Sequence, residues 1–276
     1  MADNTKIEWA DKTFNPWTGC TKVSPACDNC YAEGWAKRSG HVEWGPKAER
    51  RRTKTWGNPV KWNRQAEAEG IRYRVFCASL ADVFDNHKSI EFYWRDDLWL
   101  LIEETPRLDW LLLTKRPQNI AKMVPSYWMS RGFPSNVWMG ATVENQEEAD
   151  RRIPHLLEIP ALVRFLSCEP LLGPVDLTRV NDDSTVMIDA LRGLGGWPVP
   201  HAGDGPSLHW VITGGESGPN YRPANPDWFR SLRDQCAAAD VPFLFKQWEG
   251  KTQAQIKALG RELDGVVHDG YPQGTP

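Results

Sequence analysis

The chain has 276 residues, a net charge of −3 and 41% hydrophobic residues. This length suffices for one large α/β domain or two small ones with a full apolar core. The charge excludes a global basic field that would draw the whole molecule to nucleic acid. Residues 1–8 are polar and no apolar run reaches the ~18 residues of a membrane span, so we expect a cytoplasmic protein without a membrane partner.

Three of the six cysteines lie within eleven residues near the start of the chain, at Cys20, Cys27 and Cys30. Clustered thiols in a reduced protein indicate a metal site rather than a disulfide, although buried apolar thiols are the plain alternative. A structural zinc ion would need a fourth protein ligand. An iron–sulfur cluster held by three thiolates would leave one iron open. The residues alone leave both metals open. The remaining cysteines are predicted to be core residues: Cys77, Cys168 and Cys236.

The first predicted strand lies within residues 1–19 and turns at Gly19 into the cysteine loop, defined here as residues 20–30. Asp28 is predicted to cap a helix over 29–38. Cys30 would lie in the first turn of this helix, where the helix dipole favours a thiolate.

Residues 39–73 are predicted to be an irregular polar insertion. Basic residues alternate there with tryptophans, a combination that can grip a phosphate backbone, so DNA or RNA is a predicted partner. A solvated charged insertion is the alternative. The basic residues are Lys47, Arg50, Arg51, Arg52 and Lys54, and the tryptophans are Trp44, Trp56 and Trp62.

Six short apolar runs follow from residue 74, and helix-like stretches separate them. The runs are continuously apolar, which is typical of parallel strands buried on both faces. With the N-terminal strand they predict an α/β fold, a partial (βα) barrel of six or so parallel strands; a doubly wound sheet is the alternative. The predicted strands are 74–79, 109–114, 137–142, 163–167, 209–213 and 242–245, and the predicted helices are 90–104, 119–124, 146–153 and 227–239.

Polar or ionisable residues follow every predicted strand. In (βα) barrels the carboxyl ends of the strands carry the chemistry, so these side chains are predicted to meet at one mouth below the cysteine loop. Salt bridges that close the mouth are the alternative interpretation. The residues are Ser79, Asp82, Lys115, Arg116, Thr142, Glu144, Glu169, Glu216 and Lys246.

We expect a single barrel domain over residues 1–250, with insertions at about 39–73 and 174–208. The second insertion is rich in Gly, Pro and Asp, which predicts a lid or binding loop, or local disorder. Residues 251–276 are predicted to form a C-terminal extension with a hairpin that turns at Asp264 and Gly265.

The cysteine trio after the first strand, with polar groups at the later strand ends, resembles the radical S-adenosylmethionine enzymes. Together with residues 15–20, the trio looks more closely like an uncharacterised phage and bacterial family with a three-cysteine motif. The usual spacing of the trio in the enzymes is three and two residues, whereas here it is six and two. Ser79 to Asp82 also replace their usual glycine-glycine-glutamate motif. Further stretches similar to the three-cysteine-motif family are 166–173, 212–219 and 245–248.

The resemblance implies that Cys20, Cys27 and Cys30 bind a [4Fe–4S] cluster whose fourth iron holds S-adenosylmethionine. It implies reductive cleavage of S-adenosylmethionine to a 5′-deoxyadenosyl radical, with an electron donor such as flavodoxin or ferredoxin. The substrate is not identified, and a nucleic acid is one prediction for it.

The resemblance also implies roles for the strand-end residues. Asp82 or Glu144 would hold the methionine ammonium or a ribose hydroxyl, and Lys115 and Arg116 would pair with the carboxylate. Ser79 and Thr142 complete the expected cofactor-binding set.

Glu169, Glu216 and Lys246 would face the substrate as catalytic residues. Two interpretations without radical chemistry stay open. One is a metal-stabilised nucleic-acid-binding protein, and the other is a barrel hydrolase with Glu169 and Glu216 as acid and base.

Overall fold

The computed structural model describes residue 5 and residues 7–181, 187–195, 201–202 and 205–272. Its centre is one seven-stranded sheet in which the strands lie side by side in chain order. Every neighbouring pair is parallel. The strands are β1 (Lys12–Phe14), β2 (Tyr73–Cys77), β3 (Leu108–Thr114), β4 (Val137–Thr142), β5 (Val163–Cys168), β6 (Trp210–Gly214) and β7 (Phe243–Gln247).

The sheet curls into a half-barrel, with β1 and β7 at its two edges. The predicted α/β class and parallel strands are confirmed, and the half-barrel is compatible with the predicted partial barrel. The strand order never reverses, whereas a doubly wound sheet reverses at its switch point. The doubly wound alternative is therefore wrong.

Both faces of the sheet are buried, which explains the continuous apolar runs. In β2, Val75 and Cys77 belong to the large core under the helices, whereas Phe76 belongs to a second cluster of buried residues. Aromatic rings dominate this second cluster. The sheet is tightly packed at Gly140, where an added Cβ atom would lie 2.3 Å from the ring of Phe165 on the neighbouring strand.

Helices connect the strands. They are α1 (Tyr31–Ser39), α2 (Gly57–Glu69), α3 (Phe92–Glu103), α4 (Ile120–Met123), α5 (Ser126–Arg131), α6 (Gln146–Leu157), α7 (Pro226–Ala238) and α8 (Gln253–Leu259). Short 3-10 turns lie at Pro25–Cys27 and Pro117–Asn119. None of the helices in the described residues is both long and apolar enough to cross a membrane.

Helix α2 corrects the prediction that residues 39–73 are irregular throughout. Three buried residues, Pro59, Trp62 and Ala66, recur at spacings of three and four along it. They form one buried face on an otherwise polar helix. Gly70 ends the helix in the left-handed conformation, with φ of 67°. In front of α2, Arg51–Arg52 pair in antiparallel fashion with Trp17–Thr18.

The insertion at 174–208 is packed against the core in the parts that the structure describes. Val175, Leu177 and Val180 are buried there, and Val180 pairs with Ile188. A two-residue antiparallel pair joins Leu194–Gly195 to His201–Ala202. Residues 182–186, 196–200 and 203–204 lie outside the described residues.

The predicted C-terminal hairpin is confirmed. Glu262–Leu263 pair with Val266–Val267, and Asp264 and Gly265 form the turn with φ of 55° and 77°. The preceding helix α8 was not predicted. Its buried side is small, because Ile256 is its one buried residue.

Candidate functional site

The cysteine loop lies across the carboxyl edge of the sheet. The backbone N–H of Ala26 donates to Glu144 Oε1 at 3.1 Å, and Glu144 follows β4. The side-chain amide of Asn29 donates to Glu216 Oε2 at 3.1 Å, and Glu216 follows β6. Two strand-end carboxylates therefore hold the loop in the place that the sequence predicts.

Arg116, which follows β3, ties the start of the loop to the same edge. Its guanidinium donates to Cys20 Sγ at 3.7 Å and to the carbonyl oxygen of Thr21 at 2.9 Å. It also forms a buried salt bridge of 2.9 Å with Asp82. Asp82 and Arg116 thus position Cys20.

A buried ion-pair network supports Glu144. Arg152 on α6 lies 2.8 Å from Glu144 and 2.7 Å from Glu148, and all three side chains are at most 3% exposed. Burial alone would raise the pKa of Glu144. The Arg152 charge and the hydrogen bonds from the cysteine loop outweigh this effect and lower that pKa. For Glu148, burial and the nearby Glu144 raise the pKa. Glu144 is therefore a charged anchor for the loop.

Glu216 is held in the same way by Arg222. Arg222 donates to both carboxylate oxygens, at 2.6 and 3.0 Å, and also to the carbonyl oxygen of Pro25 on the cysteine loop at 3.0 Å. Burial raises the pKa of Glu216, but the hydrogen bonds from Arg222 and Asn29 outweigh it and lower the pKa. Glu216 is therefore ionised, and both of its carboxylate oxygens already accept hydrogen bonds from the protein.

Glu169 and Lys246 form a second cluster at the mouth, at the ends of β5 and β7. Their side chains pair at 2.8 Å and are 11% and 23% exposed. Tyr31 reaches the same region: its hydroxyl donates to the carbonyl oxygen of Ser79 at 2.7 Å. Tyr31 as a whole is 55% exposed. Desolvation of its hydroxyl, with the charges of Cys30 and Glu169, raises the pKa of Tyr31.

The remaining predicted cofactor-binding residues line the edge between these groups. Ser79 Oγ accepts a hydrogen bond from Asn15 at 3.0 Å, and Lys115 Nζ lies 3.5 Å from Thr142 Oγ1. The structure thus places every predicted strand-end residue along one edge of the sheet. Whether they contact a cofactor stays a prediction.

The three loop thiols have different surroundings. Cys27 is buried, whereas Cys20 and Cys30 are half-buried, and Cys30 is the residue that precedes the first turn of α1. Burial, followed by the charge of Asp82, raises the pKa of Cys20 to about 12. The described residues contain no group of three or more His, Cys, Asp or Glu placed to hold a metal ion. The predicted cluster therefore stays a prediction. The other cysteines are buried, as predicted: Cys77, Cys168 and Cys236.

Two functional arginines were missed by sequence reasoning. Arg152 lies on a helix and Arg222 lies in a connection, so neither follows a strand directly. The available signal for Arg152 was its position four residues after Glu148, on the buried side of α6. No local pattern marks Arg222 as the partner of Glu216.

The basic insertion differs from the prediction at Arg50. Its side chain is 0% exposed and pairs with Asp85 at 2.7 Å, so it is not available to a phosphate backbone. Arg52 pairs with Asp97 and stacks on the ring of Trp56, with 4.1 Å to the ring centroid. The inclusion of Arg50 in an exposed basic patch is therefore wrong, because a buried carboxylate neutralises it.

One family model, described as a protein of unknown function (DUF5131), matches residues 4–272. No curated protein and no solved structure matches the chain. The assignment by resemblance to the radical S-adenosylmethionine enzymes, and to a three-cysteine-motif family, is therefore wrong: the matching description names neither. The sequence and the structure also speak against this assignment. The cysteine gaps are six and two residues instead of the usual three and two, and the described thiols form no ready metal site.

Proposed function

We propose that this chain, which belongs to the family of proteins of unknown function DUF5131, is an enzyme that binds a [4Fe–4S] cluster through Cys20, Cys27 and Cys30 and uses S-adenosylmethionine. One observation carries the proposal. The cysteine loop is fastened to the carboxyl ends of strands, where an α/β barrel gathers its chemistry. The proposal does not depend on membership in any known enzyme family.

The three thiols are donors of the right chemical type for such a cluster, and binding would have to gather them, because the described residues form no group that holds a metal ion. Thiolates are the preferred ligands of iron–sulfur clusters, and three of them leave one iron open to a small molecule. Cys30 lies at the positive end of the α1 dipole, and the Arg116 guanidinium contacts Cys20 Sγ. Both features favour a bound thiolate. Because the pKa of free Cys20 is about 12, cluster binding must displace its proton.

When bound, the cluster would supply an electron for the reductive cleavage of S-adenosylmethionine, and the protein would position and shield that chemistry. Glu144 and Glu216 hold the loop. Glu169 and Lys246 are therefore the residues that would contact the substrate. Their ion pair, with the Tyr31 hydroxyl, offers both hydrogen-bond donors and acceptors at the mouth. These groups would orient a polar substrate.

The hydrolase alternative is not favoured by this geometry. A general base must be able to take up a proton during the reaction, but the hydrogen bonds from Arg222 and Asn29 that lower the pKa of Glu216 make this carboxylate a weak base. A carboxylate that accepts from Arg222 and Asn29 also has little capacity left for a substrate proton.

The metal-stabilised nucleic-acid-binding alternative loses one of its supports, because Arg50 is buried in a salt bridge. It predicts that binding weakens steeply as salt rises. The cluster proposal predicts no such dependence on salt.

The test is anaerobic reconstitution with iron and sulfide, followed by metal analysis and visible absorption. We expect about four irons and four sulfides per chain, as a [4Fe–4S] cluster requires. Cys27→Ala should lose the cluster. The matched control Cys236→Ala, a buried thiol of α7, should keep it. Reduction with S-adenosylmethionine should release 5′-deoxyadenosine. A colourless, zinc-loaded protein, or a Cys27→Ala variant that keeps the cluster, would contradict the proposal.

A further inference from the structure

A cavity of about 260 Å³ lies next to the cysteine loop, between the segment that follows β3 and helix α6. Of its eight lining residues, four are Lys or Arg, three are Asn or Gln, and Val23 belongs to the loop itself. None of these described lining residues is a carboxylate. The four cations are Lys115, Arg116, Arg151 and Arg152.

Three of the four cations at the cavity are paired with carboxylates: Arg116 with Asp82, Arg151 with Glu148 and Arg152 with Glu144. The guanidinium groups of Arg116 and Arg152 are thereby held in fixed positions. Lys115 differs, because no carboxylate lies within salt-bridge distance of its ammonium in the described part of the chain. Its one hydrogen-bond partner there is Thr142 Oγ1, at 3.5 Å. Lys115 is therefore a positive charge without a carboxylate partner at a polar cavity.

Two exposed amides at the cavity, Asn86 and Gln118, form no hydrogen bond in the described part of the chain and are open to a ligand. One buried donor at the cavity also lacks an acceptor. Arg152 is 2% exposed, and its Nε is buried without a partner among the described residues. A buried donor is unfavourable unless an acceptor reaches it. The cavity thus offers donors and positive charge to a group that supplies only acceptors and negative charge.

We propose that this cavity binds the phosphate group of a small molecule. A phosphate accepts from several directions at once, which suits an ammonium, guanidinium groups and amides that converge on one space. The volume lies just below the ~300 Å³ at which small-molecule sites begin, so the cavity suits a phosphate with little of its parent molecule. The proposal reassigns Lys115, for which the sequence predicts contact with the S-adenosylmethionine carboxylate. It is independent of the cluster.

The test uses the full chain without a cluster, because the cavity is formed by the protein alone. Calorimetric titrations at constant ionic strength compare inorganic phosphate, methyl phosphate and acetate. We expect both phosphates to bind at least about tenfold more tightly than acetate, since charge-assisted hydrogen bonds are the strong ones. Lys115→Gln should weaken phosphate binding about tenfold. Lys122→Gln, an exposed lysine of α4 outside the cavity, is the matched control and should bind like the wild type.

Several results would overturn the proposal. They are no phosphate binding, equal binding of acetate, unchanged binding by Lys115→Gln, or equal weakening by Lys122→Gln, which would indicate diffuse surface charge. If S-adenosylmethionine displaces phosphate, Lys115 binds the carboxylate of S-adenosylmethionine, as the sequence predicts, and the phosphate proposal is wrong. If Lys115→Gln fails to fold, Gln118→Ala replaces it, since Gln118 is exposed at the cavity. We expect Gln118→Ala to lower the affinity for phosphate several-fold. An unchanged affinity would refute the site. Because no cluster is present, failure here leaves the cluster proposal standing.

Discussion

Replacement of Glu144 by Gln tests whether the strand-end carboxylates hold the cysteine loop in place. Glu144 accepts from the Ala26 backbone with one oxygen and pairs with Arg152 through the other. Gln keeps the shape of the side chain but removes its charge. Among the described residues, it therefore leaves Arg152 with Glu148 as its one remaining carboxylate partner.

The expected effect follows from burial. Removing one partner of a buried salt bridge costs about 3–5 kcal/mol, and the lower end applies because Glu148 still pairs with Arg152. Unfolding entropy of ~2.1 cal/mol/K per residue amounts to ~0.6 kcal/mol/K for a chain of this length. A loss of about 3 kcal/mol then lowers the Tm by about 5 °C.

Two measurements check this prediction. Thermal unfolding at neutral pH gives the Tm, and a short pulse of maleimide followed by peptide mass spectrometry gives the labelling rate of Cys27. We expect Cys27, which is buried in the intact protein, to label faster in Glu144→Gln because the loop beside it is released. The control is Glu147→Gln, whose side chain is 75% exposed; a surface pair contributes at most about 1 kcal/mol. If the Glu144 variant matches this control in both Tm and labelling, the anchoring argument is refuted.

Two further predictions concern the loop's second anchor and the inside of the half-barrel. The pKa of Glu216 is lowered from its ordinary value of 4.5, so its interactions stabilise the fold above that pH and are lost as the pH falls through the lowered pKa. The Tm difference between wild type and Arg222→Gln should therefore be largest at neutral pH and shrink in acid; a difference independent of pH in a series of melts would contradict this. Gly140→Ala should destabilise the protein by about 1–3 kcal/mol in denaturant unfolding, because its Cβ would meet the ring of Phe165 at 2.3 Å. If Gly140→Ala is as stable as the wild type, the prediction is wrong and the sheet relaxes easily around the added methyl group.

The sheet was predictable because its signal is local. The run 137–142 is predicted and observed with the same bounds, since a strand buried on both faces is apolar at every position. The order of the strands follows from the alternation of strand and helix. Helix α2 was missed because only three of its thirteen residues are buried, too few to outweigh its polar composition.

The site was predictable in its position but not in its contacts. Parallel strands place their carboxyl ends at one edge, so the residues that follow them had to assemble there. Which of them pair is a property of the folded chain. Glu216 meets Arg222 and Asn29, and Arg50 meets Asp85, through approaches that no spacing in the sequence encodes. Several strand-end residues expected to bind a cofactor therefore turn out to hold the loop.

The anchors of the cysteine loop also determine when it can reach its final position. Ala26 meets a carboxylate 118 residues further along the chain, and Asn29 meets one 187 residues further along. During synthesis the three thiols emerge early, yet their docking surface is complete only after β6 has joined the sheet. Contacts between such distant segments form late in folding. A cofactor that requires the docked loop is therefore acquired by the finished domain and not by the growing chain.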